Sequence, residues 1–476
     1  MVGDETESKT RSRAFHERKG LTMGSSNLTR RQFLATASTG TLAAVVAGGI
    51  PAYANAGKKA AKCAILGGQP VRAKPFPHWP VWDPAAEESV LSVLRSGKWF
   101  RGSGTVVSQF EEKYAALLGA KRCVATMNGT NSLLTALHCL DVGVGDEVVV
   151  SPYTFIATYN VILNSVALPV FADTDPETFL INPDKIEERI NENTRAILPV
   201  HIFGLPANMT KINAIAKKRN LKVIEDACQA WLAEWGGKKC GTLGDLGCFS
   251  FQESKHLPAG EGGAVVGNDD ELMDRVWSYH NCGRPYRSVK GKTGYPIVGT
   301  NRRMTEYQAA ILLNQMQRLE ADTAKRVENA NYLTSRIKDI PGIVPHKLCE
   351  GATRAAYHLY PLRYKQEQFN GLSRNRFLAA LSAEGIPCSS VYGPQYKDEL
   401  IEAALTSKNF KRAFPKARLD RYREELHYPA NDQLCQEAVC FTQNLLLGSK
   451  SDMDDIANAI QKVYENRADL VKSQKA

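Results

Sequence analysis

The sequence predicts an α/β protein in which a large domain with a mostly parallel β-sheet precedes a smaller α+β domain. In the middle of the chain, short apolar segments alternate with helix-length amphipathic segments, which is typical of a parallel sheet covered by helices. The length of 476 residues suits two or three domains. A composition of 43% apolar and 23% charged residues is ordinary for a globular protein, and it argues against a disordered, collagen-like, coiled-coil or multi-span membrane chain.

The predicted elements follow one another in a regular order. Val90, Leu91 and Leu94 share one face of the first helix, and Gly97 is placed to end it. We predict helices over 84–96, 183–190, 210–219, 269–280 and from 305 through 319, and strands over 147–150, 168–171, 196–200, 221–224, 249–251 and 263–266. Because ligands bind at the carboxyl ends of the strands in such sheets, we expect the functional site at that edge.

The chain divides into three predicted segments. Residues 1–56 read as a leader and linker, 57–325 as the large domain, and 326–476 as the small C-terminal domain. The boundary between the two domains is expected after the long helix that begins at Thr305, since about 130–150 further residues are enough for a second domain.

The leader resembles a twin-arginine export signal. Arg30 and Arg31 precede an uncharged stretch over 33–50, and Ala54-Asn55-Ala56 offers a small-residue cleavage site. We therefore expect the twin-arginine export machinery as a partner and a periplasmic or exported protein. A chance arginine pair in a cytoplasmic protein is the alternative. The sequence leaves open whether the segment is cleaved or kept as an anchor, and whether translation starts at Met1 or Met23.

The net charge, the cysteines and the histidines argue against a nucleic-acid partner, a disulfide framework and a metal site, respectively. The formal charge of +10 is modest for this length, and no basic arm accompanies it, so we expect no nucleic-acid partner. The 11 cysteines include no C-x-x-C pair and do not form a disulfide framework, so most should be buried apolar residues. The nine histidines show no H-x-x-x-H or H-E-x-x-H spacing, and we expect no metal site.

Four segments carry the residues that could perform chemistry. The segment 128–133 opens a helix with small polar residues whose backbone N–H groups could hold an anion. Asp226 follows an apolar strand, and Lys255 follows another, shortly before the glycines of 260–263. The segment 299–306 opens a further helix. Taken singly, each has an ordinary explanation as a capped helix, a helix-capping acid or a solvated lysine.

In their order and spacing the four segments resemble the DegT/DnrJ/StrS family of sugar aminotransferases. The resemblance extends from about Pro80 to the C-terminus, is densest over 129–308, and includes the segments 152–157 and 199–204. It implies the fold of a fold type I transferase that depends on pyridoxal 5′-phosphate (PLP).

The resemblance also implies two catalytic residues. Lys255 would form a Schiff base with PLP and then act as the general base and acid for the proton transfer. Asp226 would face the pyridine nitrogen and keep it protonated, so that the ring can accept electrons. The order Lys255-His256 distinguishes the chain from dehydratases of the family, in which histidine replaces this lysine.

Further cofactor-binding roles follow from the same resemblance. Phe155 would stack on the ring, and the Gln229 amide would bind near O3′ or the phosphate. Thr130, Asn131 and Ser250 would bind the phosphate. Asn301 would reach the phosphate of a second subunit. The last role implies a homodimer with a shared active site.

The implied reaction moves an amino group from L-glutamate or L-glutamine to a keto-sugar or keto-cyclitol. Trp79, Trp82 and the segment 99–102 look closest to the branch of glutamine:scyllo-inosose aminotransferases and 3-amino-5-hydroxybenzoate synthases. A nucleotide-linked keto-sugar remains open as the acceptor. Two other functions also remain open, namely a PLP-dependent sugar dehydratase and a non-catalytic binding or regulatory protein that keeps the fold.

Overall fold

The computed structural model of the protein describes residues 61–286 and 294–475. The described residues belong to one compact unit. The predicted leader over 1–56 lies outside the described residues. Among the described helices, none is both long and apolar enough to cross a membrane. All 11 cysteines are free, as their spacing predicts.

Helices and strands alternate through the first two thirds of the described chain. The helices are α1 (Glu87–Ser96), α2 (Val106–Leu118), α3 (Gly129–Cys139), α4 (Ala157–Asn164), α5 (Met209–Arg219), α6 (Asp270–His280), α7 (Glu306–Ile337), α8 (Arg374–Ala383), α9 (Glu399–Thr406), α10 (Lys408–Ala413), α11 (Lys416–Glu424), α12 (Pro429–Glu437), α13 (Lys450–Glu465) and α14 (Arg467–Lys475). The strands are β1 (Arg122–Thr126), β2 (Glu147–Val150), β3 (Leu168–Phe171), β4 (Thr194–Leu198), β5 (Lys222–Asp226), β6 (Glu234–Trp235), β7 (Lys238–Lys239), β8 (Leu246–Ser250), β9 (Gly263–Gly267), β10 (Ile343–Pro345), β11 (Ala352–Arg354), β12 (Leu359–Tyr364) and β13 (Ala438–Thr442).

A seven-stranded sheet with the order β1-β9-β8-β5-β4-β2-β3 forms the centre of the fold. The neighbours from β8 to β3 pair in parallel, and β9 runs antiparallel to both β8 and β1. The prediction of a mostly parallel α/β sheet is therefore confirmed. The reversal of β9 follows from its connection, since residues 251–262 return from β8 without a crossover helix.

Most predicted elements are present, and their ends differ for local reasons. β2 and β3 have the predicted bounds, whereas β5 continues to Asp226. The continuous helix predicted over 183–190 is wrong, because two short 3₁₀ turns, Pro183–Lys185 and Glu187–Arg189, take its place. The Asn182 side chain accepts a hydrogen bond from the Asp184 amide, which favours the tight turn over an α-helix.

The C-terminal part of the chain has its own three-stranded antiparallel sheet of order β10-β12-β13. Helix α7 connects the two parts as one continuous helix of 32 residues. The predicted boundary at 325/326 falls inside this helix, and the three-segment division remains a prediction. A small sheet of order β11-β6-β7 also joins residues of the two parts.

The first described residues are attached to the end of the chain. The Arg72 guanidinium forms ion pairs of 2.6 Å and 2.8 Å with Asp452 and Asp455 in α13. The buried Glu384 carboxylate accepts hydrogen bonds from the amides of Ala64 and Val71. Residues 61–72 are therefore fixed by contacts with the segment after α8 and with α13.

Candidate active site

Two strand ends and one helix start meet at the carboxyl edge of the sheet. Asp226 ends β5 and Ser250 ends β8, and these strands are parallel neighbours. Gly129 begins α3 against them. A Cβ atom at Gly129 would lie 2.7 Å from the Ser250 Cβ and 3.0 Å from the Cys228 Sγ. Only glycine therefore allows the start of α3 to approach the end of β8 this closely.

The start of α3 provides donors for an anion. Asn128 caps the helix, and its Oδ1 accepts hydrogen bonds from the Asn131 amide at 2.9 Å and the Asn131 Nδ2 at 3.0 Å. The first amides of a helix have no partner within the helix, so those of Gly129 and Thr130 are available beside the Ser250 hydroxyl. The structure thus brings Thr130 and Ser250 to one place, whereas the Asn131 amide, to which the resemblance assigns the phosphate, donates to the capping Asn128 side chain instead.

Asp226 is a buried carboxylate with two fixed donors, and its side chain is almost inaccessible at 5% exposure. The Thr158 hydroxyl, in α4, donates to Oδ2 at 2.9 Å, and the Cys228 amide donates to Oδ1 at 3.2 Å. These donors hold the carboxylate in one orientation at the end of β5. An ionised acid held in this way can keep a nearby ring nitrogen protonated.

Lys255 is half-buried in the connection that follows β8. Its ammonium lies 5.9 Å from the ring centre of Trp231, and its carbonyl accepts a hydrogen bond from the Trp79 indole at 3.1 Å. Burial lowers the pKa of Lys255, and the charges of Cys228 and Asp226 oppose that shift. A lower pKa increases the fraction of neutral amine, which is the form that acts as a nucleophile or a base.

The remaining predicted residues lie in different surroundings. The Phe155 ring is 49% exposed and is free to stack on a planar ligand. The Gln229 amide is buried, where its Oε1 accepts from the Phe203 amide and its Nε2 donates to the Tyr392 hydroxyl. The role of Gln229 at O3′ or the phosphate therefore stays a prediction. Asn301 lies exposed beside Asn281, with which it forms an isolated β-bridge.

The residues present fit PLP. The site combines a lysine with a lowered pKa, a fixed carboxylate, a glycine-dependent approach that exposes helix amides beside a serine, and an exposed aromatic ring. These are the groups that an aldehyde, a pyridine nitrogen, a phosphate and an aromatic ring each require. Within the described ranges, no group of three or more His, Cys, Asp or Glu side chains is arranged to hold a metal ion.

Some residues that shape the site were missed by the sequence analysis. Thr158 orients Asp226, and Trp231 faces Lys255. Tyr392 comes from the C-terminal part of the chain to contact Gln229. Thr158 lies only three residues after Phe155, which is the one signal that could have indicated it, whereas Tyr392 has no sequence signal because its contact is long-range.

The fold and site define a PLP-dependent aminotransferase of fold type I. Residues 82–462 match the model of the DegT/DnrJ/EryC1/StrS aminotransferase family. Since the match covers most of the chain, the protein belongs to the DegT/DnrJ/EryC1/StrS aminotransferase family.

Relatives and solved structures agree with this assignment. An L-glutamine:2-deoxy-scyllo-inosose aminotransferase of Streptoalloteichus tenebrarius is 34% identical over 420 residues, covering 86% of this chain and 98% of the relative. The crystal structure of 3-amino-5-hydroxybenzoic acid synthase is 30% identical with a TM-score of 0.72, covering 84% of this chain and 100% of that chain. The aminotransferase from Psychrobacter cryohalolentis is 32% identical with a TM-score of 0.72, covering 83% and 100% respectively.

Proposed function

We propose that the protein transfers the amino group of L-glutamine, or of L-glutamate, to the keto group of a cyclitol of the scyllo-inosose class. The observation that carries the proposal is the pairing of Lys255, with its lowered pKa, and the oriented Asp226 at one sheet edge. The cyclitol is supported by relatives named as L-glutamine:scyllo-inosose aminotransferases, which this chain matches over almost their whole length.

Each residue has one task in this reaction. Bound PLP supplies the electron sink for breaking the Cα–H bond of the donor. Lys255 Nζ takes the proton from the donor Cα and returns it, and the lowered pKa suits an amine that must be neutral before it does so. Asp226 holds a proton at the ring nitrogen, Phe155 orients the ring, and the amides at the start of α3 bind the phosphate.

The reaction can be tested one half at a time by following the visible absorption of the purified holoenzyme. Adding L-glutamine should bleach the visible band, because the cofactor becomes aminated. Adding 2-deoxy-scyllo-inosose should then restore it. Lys255→Ala, which lacks the amine, is the matched control and should show neither change. A wild-type band that persists with both L-glutamine and L-glutamate would contradict the proposal in favour of a binding protein. If only a nucleotide-linked keto-sugar restores the visible band, that sugar and not a cyclitol is the amino acceptor.

We infer a homodimer from an exposed apolar surface near the site. Trp99 and Phe100, 52% and 49% exposed, lie beside the segment 302–306, and Phe100 stacks with the Arg303 guanidinium at 5.0 Å. The exposed Met127 is hydrogen-bonded through its amide to the same segment. A second copy that covers this surface would also bring Asn301 to a neighbouring site. Light scattering coupled to size-exclusion chromatography should give twice the mass of the chain, and a monomer would contradict the inference.

The leader is proposed to direct export of the folded protein. Its support is the order of Arg30-Arg31, the uncharged stretch and the small-residue site. Replacing both arginines with lysine should keep the protein in the cytoplasm with its leader intact. If the wild-type protein also stays there uncleaved, the leader is not an export signal.

A further inference from the structure

A cluster of three rings adjoins Lys255. We call Trp231, His256 and His358 the ring cluster. The ring centres of Trp231 and His256 are 5.2 Å apart, and the ring centre of His358 is 6.0 Å from each of them. Trp231 is also the ring that faces the Lys255 ammonium, at 5.9 Å. The ring cluster is therefore close to the reacting amine.

Arg326 is a buried cation beside this cluster. It lies in α7 with no exposed surface, and its Cζ is 5.1 Å from the ring centre of Trp79, whose indole donates to the Lys255 carbonyl. Its Nε donates to Gln443 Oε1 at 2.8 Å, but its Nη1 and Nη2 have no protein partner. The nearby Asp322 carboxylate is already bound by Arg318 at 2.7 Å. Within the described residues, Arg326 thus has no ion pair.

The rings carry unpartnered polar atoms as well. The Trp231 Nε1, the His256 Nδ1 and the His358 Nδ1 are all buried and have no protein partner. Most buried polar atoms of a folded protein are hydrogen-bonded, and an isolated one is costly. Three of these five atoms, the Arg326 Nη1 and Nη2 and the Trp231 Nε1, are donors, and they indicate a place for a ligand with acceptor atoms. The His256 Nε2 donates to the Tyr357 carbonyl, so the His256 Nδ1 is an acceptor and takes no part in binding an anion.

The charges around these side chains indicate which charge the ligand should carry. Burial lowers the pKa of His256 and of His358 far below the usual range, with the positive charges of Arg326 and Lys255 adding to the shift. Both imidazoles are therefore neutral at neutral pH, and the group keeps a net positive charge. A buried cation without a counter-charge is strongly unfavourable, so the group is suited to an anion.

We propose that Arg326 and the ring cluster form the binding site for a carboxylate of the amino-donor amino acid. The two Nη groups offer the forked geometry that binds a carboxylate through two hydrogen bonds, and the Trp231 indole adds a third donor. Closeness to Lys255 fits a ligand whose amino group must reach that residue. The proposal rests on the proposed amino-transfer function, and it assigns the donor's charged group a place that the acceptor, a cyclitol without a carboxylate, does not use.

Glutarate, which has the two carboxylates of L-glutamate but no amino group, is the probe for this site, since one of its carboxylates matches the α-carboxylate that L-glutamine and L-glutamate share. It should raise the melting temperature of the wild-type holoenzyme and compete with L-glutamine in the bleaching reaction. Arg326→Gln should weaken glutarate binding and raise the KM for L-glutamine, each by about 10- to 150-fold, which corresponds to the loss of hydrogen bonds to a charged group. Arg326→Lys keeps the charge but not the fork, and it should recover part of the loss.

The second half-reaction separates a donor site from a structural role. In the aminated enzyme, Arg326→Gln should transfer the amino group to the keto group of 2-deoxy-scyllo-inosose at the wild-type rate, followed as the return of the visible band. An equal loss in both half-reactions would overturn the proposal, as would glutarate binding that is the same in both variants and the wild type. Stabilisation by chloride equal to that by glutarate would assign the site to an inorganic anion instead.

The glutarate measurement also stands apart from the proposed function. If wild-type protein shows no bleaching with any donor, the amino-transfer proposal fails. The increase in melting temperature that glutarate causes, compared between wild type and Arg326→Lys, still reports on the carboxylate site. Should Arg326→Gln fail to fold, Arg326→Lys provides the same comparison. Proton uptake on glutarate binding is an additional sign, because a negative charge beside His256 raises its pKa toward the usual value.

Discussion

Lys255→Ala is expected to lower kcat for amino transfer by about 10³-fold or more and to remove the visible absorption of the bound cofactor. The substitution removes both the nucleophile that binds the cofactor and the base that moves the proton. Among the residues that the structure describes, the half-buried side chain has no hydrogen-bond partner for Nζ, so its loss should leave the fold intact. Steady-state kinetics and an absorption spectrum measure the two effects.

Lys255→Arg is the control, since it keeps a positive charge but has no titratable amine at working pH. It should be as inactive as Lys255→Ala. Because neutral amine is required, the rate at which apo-protein takes up PLP should increase with pH, with its midpoint below that of an ordinary lysine, as the lowered pKa of Lys255 implies. Turnover by Lys255→Ala above a few per cent of wild type would remove this residue from its catalytic role.

Asp226→Asn is expected to lower kcat by about 10²–10³-fold while the protein still binds PLP. Asparagine has nearly the same shape and can keep the hydrogen bond from the Cys228 amide, but it has no charge to hold a proton on the ring nitrogen. The phosphate contacts at the start of α3 are untouched, so cofactor affinity should change far less than kcat. Equilibrium binding of PLP and single-turnover rates with L-glutamine separate these effects.

Thr158→Val tests the orientation of the same carboxylate. It removes the hydroxyl that donates to Asp226 Oδ2 at 2.9 Å and keeps the shape and the charge. The loss of one hydrogen bond corresponds to a decrease of about 10-fold or less in kcat. If Thr158→Val is as damaging as Asp226→Asn, orientation matters more than charge. If Asp226→Asn has nearly wild-type rates, Asp226 has no part in the chemistry.

The sequence predicts the central sheet well because its strands are short and strongly apolar. Strand β5 shows where that signal fails. The prediction ends it at Ile224, but Glu225 and Asp226 continue it although acids are rarely buried. The amides of Gly241 and Leu243 donate to the Glu225 carboxylate, which replaces the water that an acid normally requires. Contacts from a later loop, which no local pattern contains, therefore decide the end of the strand.

The site is predictable to the extent that its residues follow strand ends. Lys255, Asp226 and Ser250 are identified from the motif order, and the structure brings them to one edge. Arg326 has no such signal, because it lies within the charged part of a long helix, where a solvated arginine is expected. It is buried because α7 packs between Trp79 near the start of the described chain and Gln443 near its end.

The attachment of residues 61–72 to the last helices has a consequence for the timing of folding. The Asn466 side chain donates to the Ala61 carbonyl across 405 residues of sequence. At roughly 5–20 residues per second, a ribosome needs about 20–80 s to synthesise those 405 residues, and the early segment lacks this contact with the last helices until then. Residues 61–72 thus gain their complete set of contacts only when nearly the whole chain has been made. Its protection from proteases, followed during synthesis, would report that the enzyme is complete.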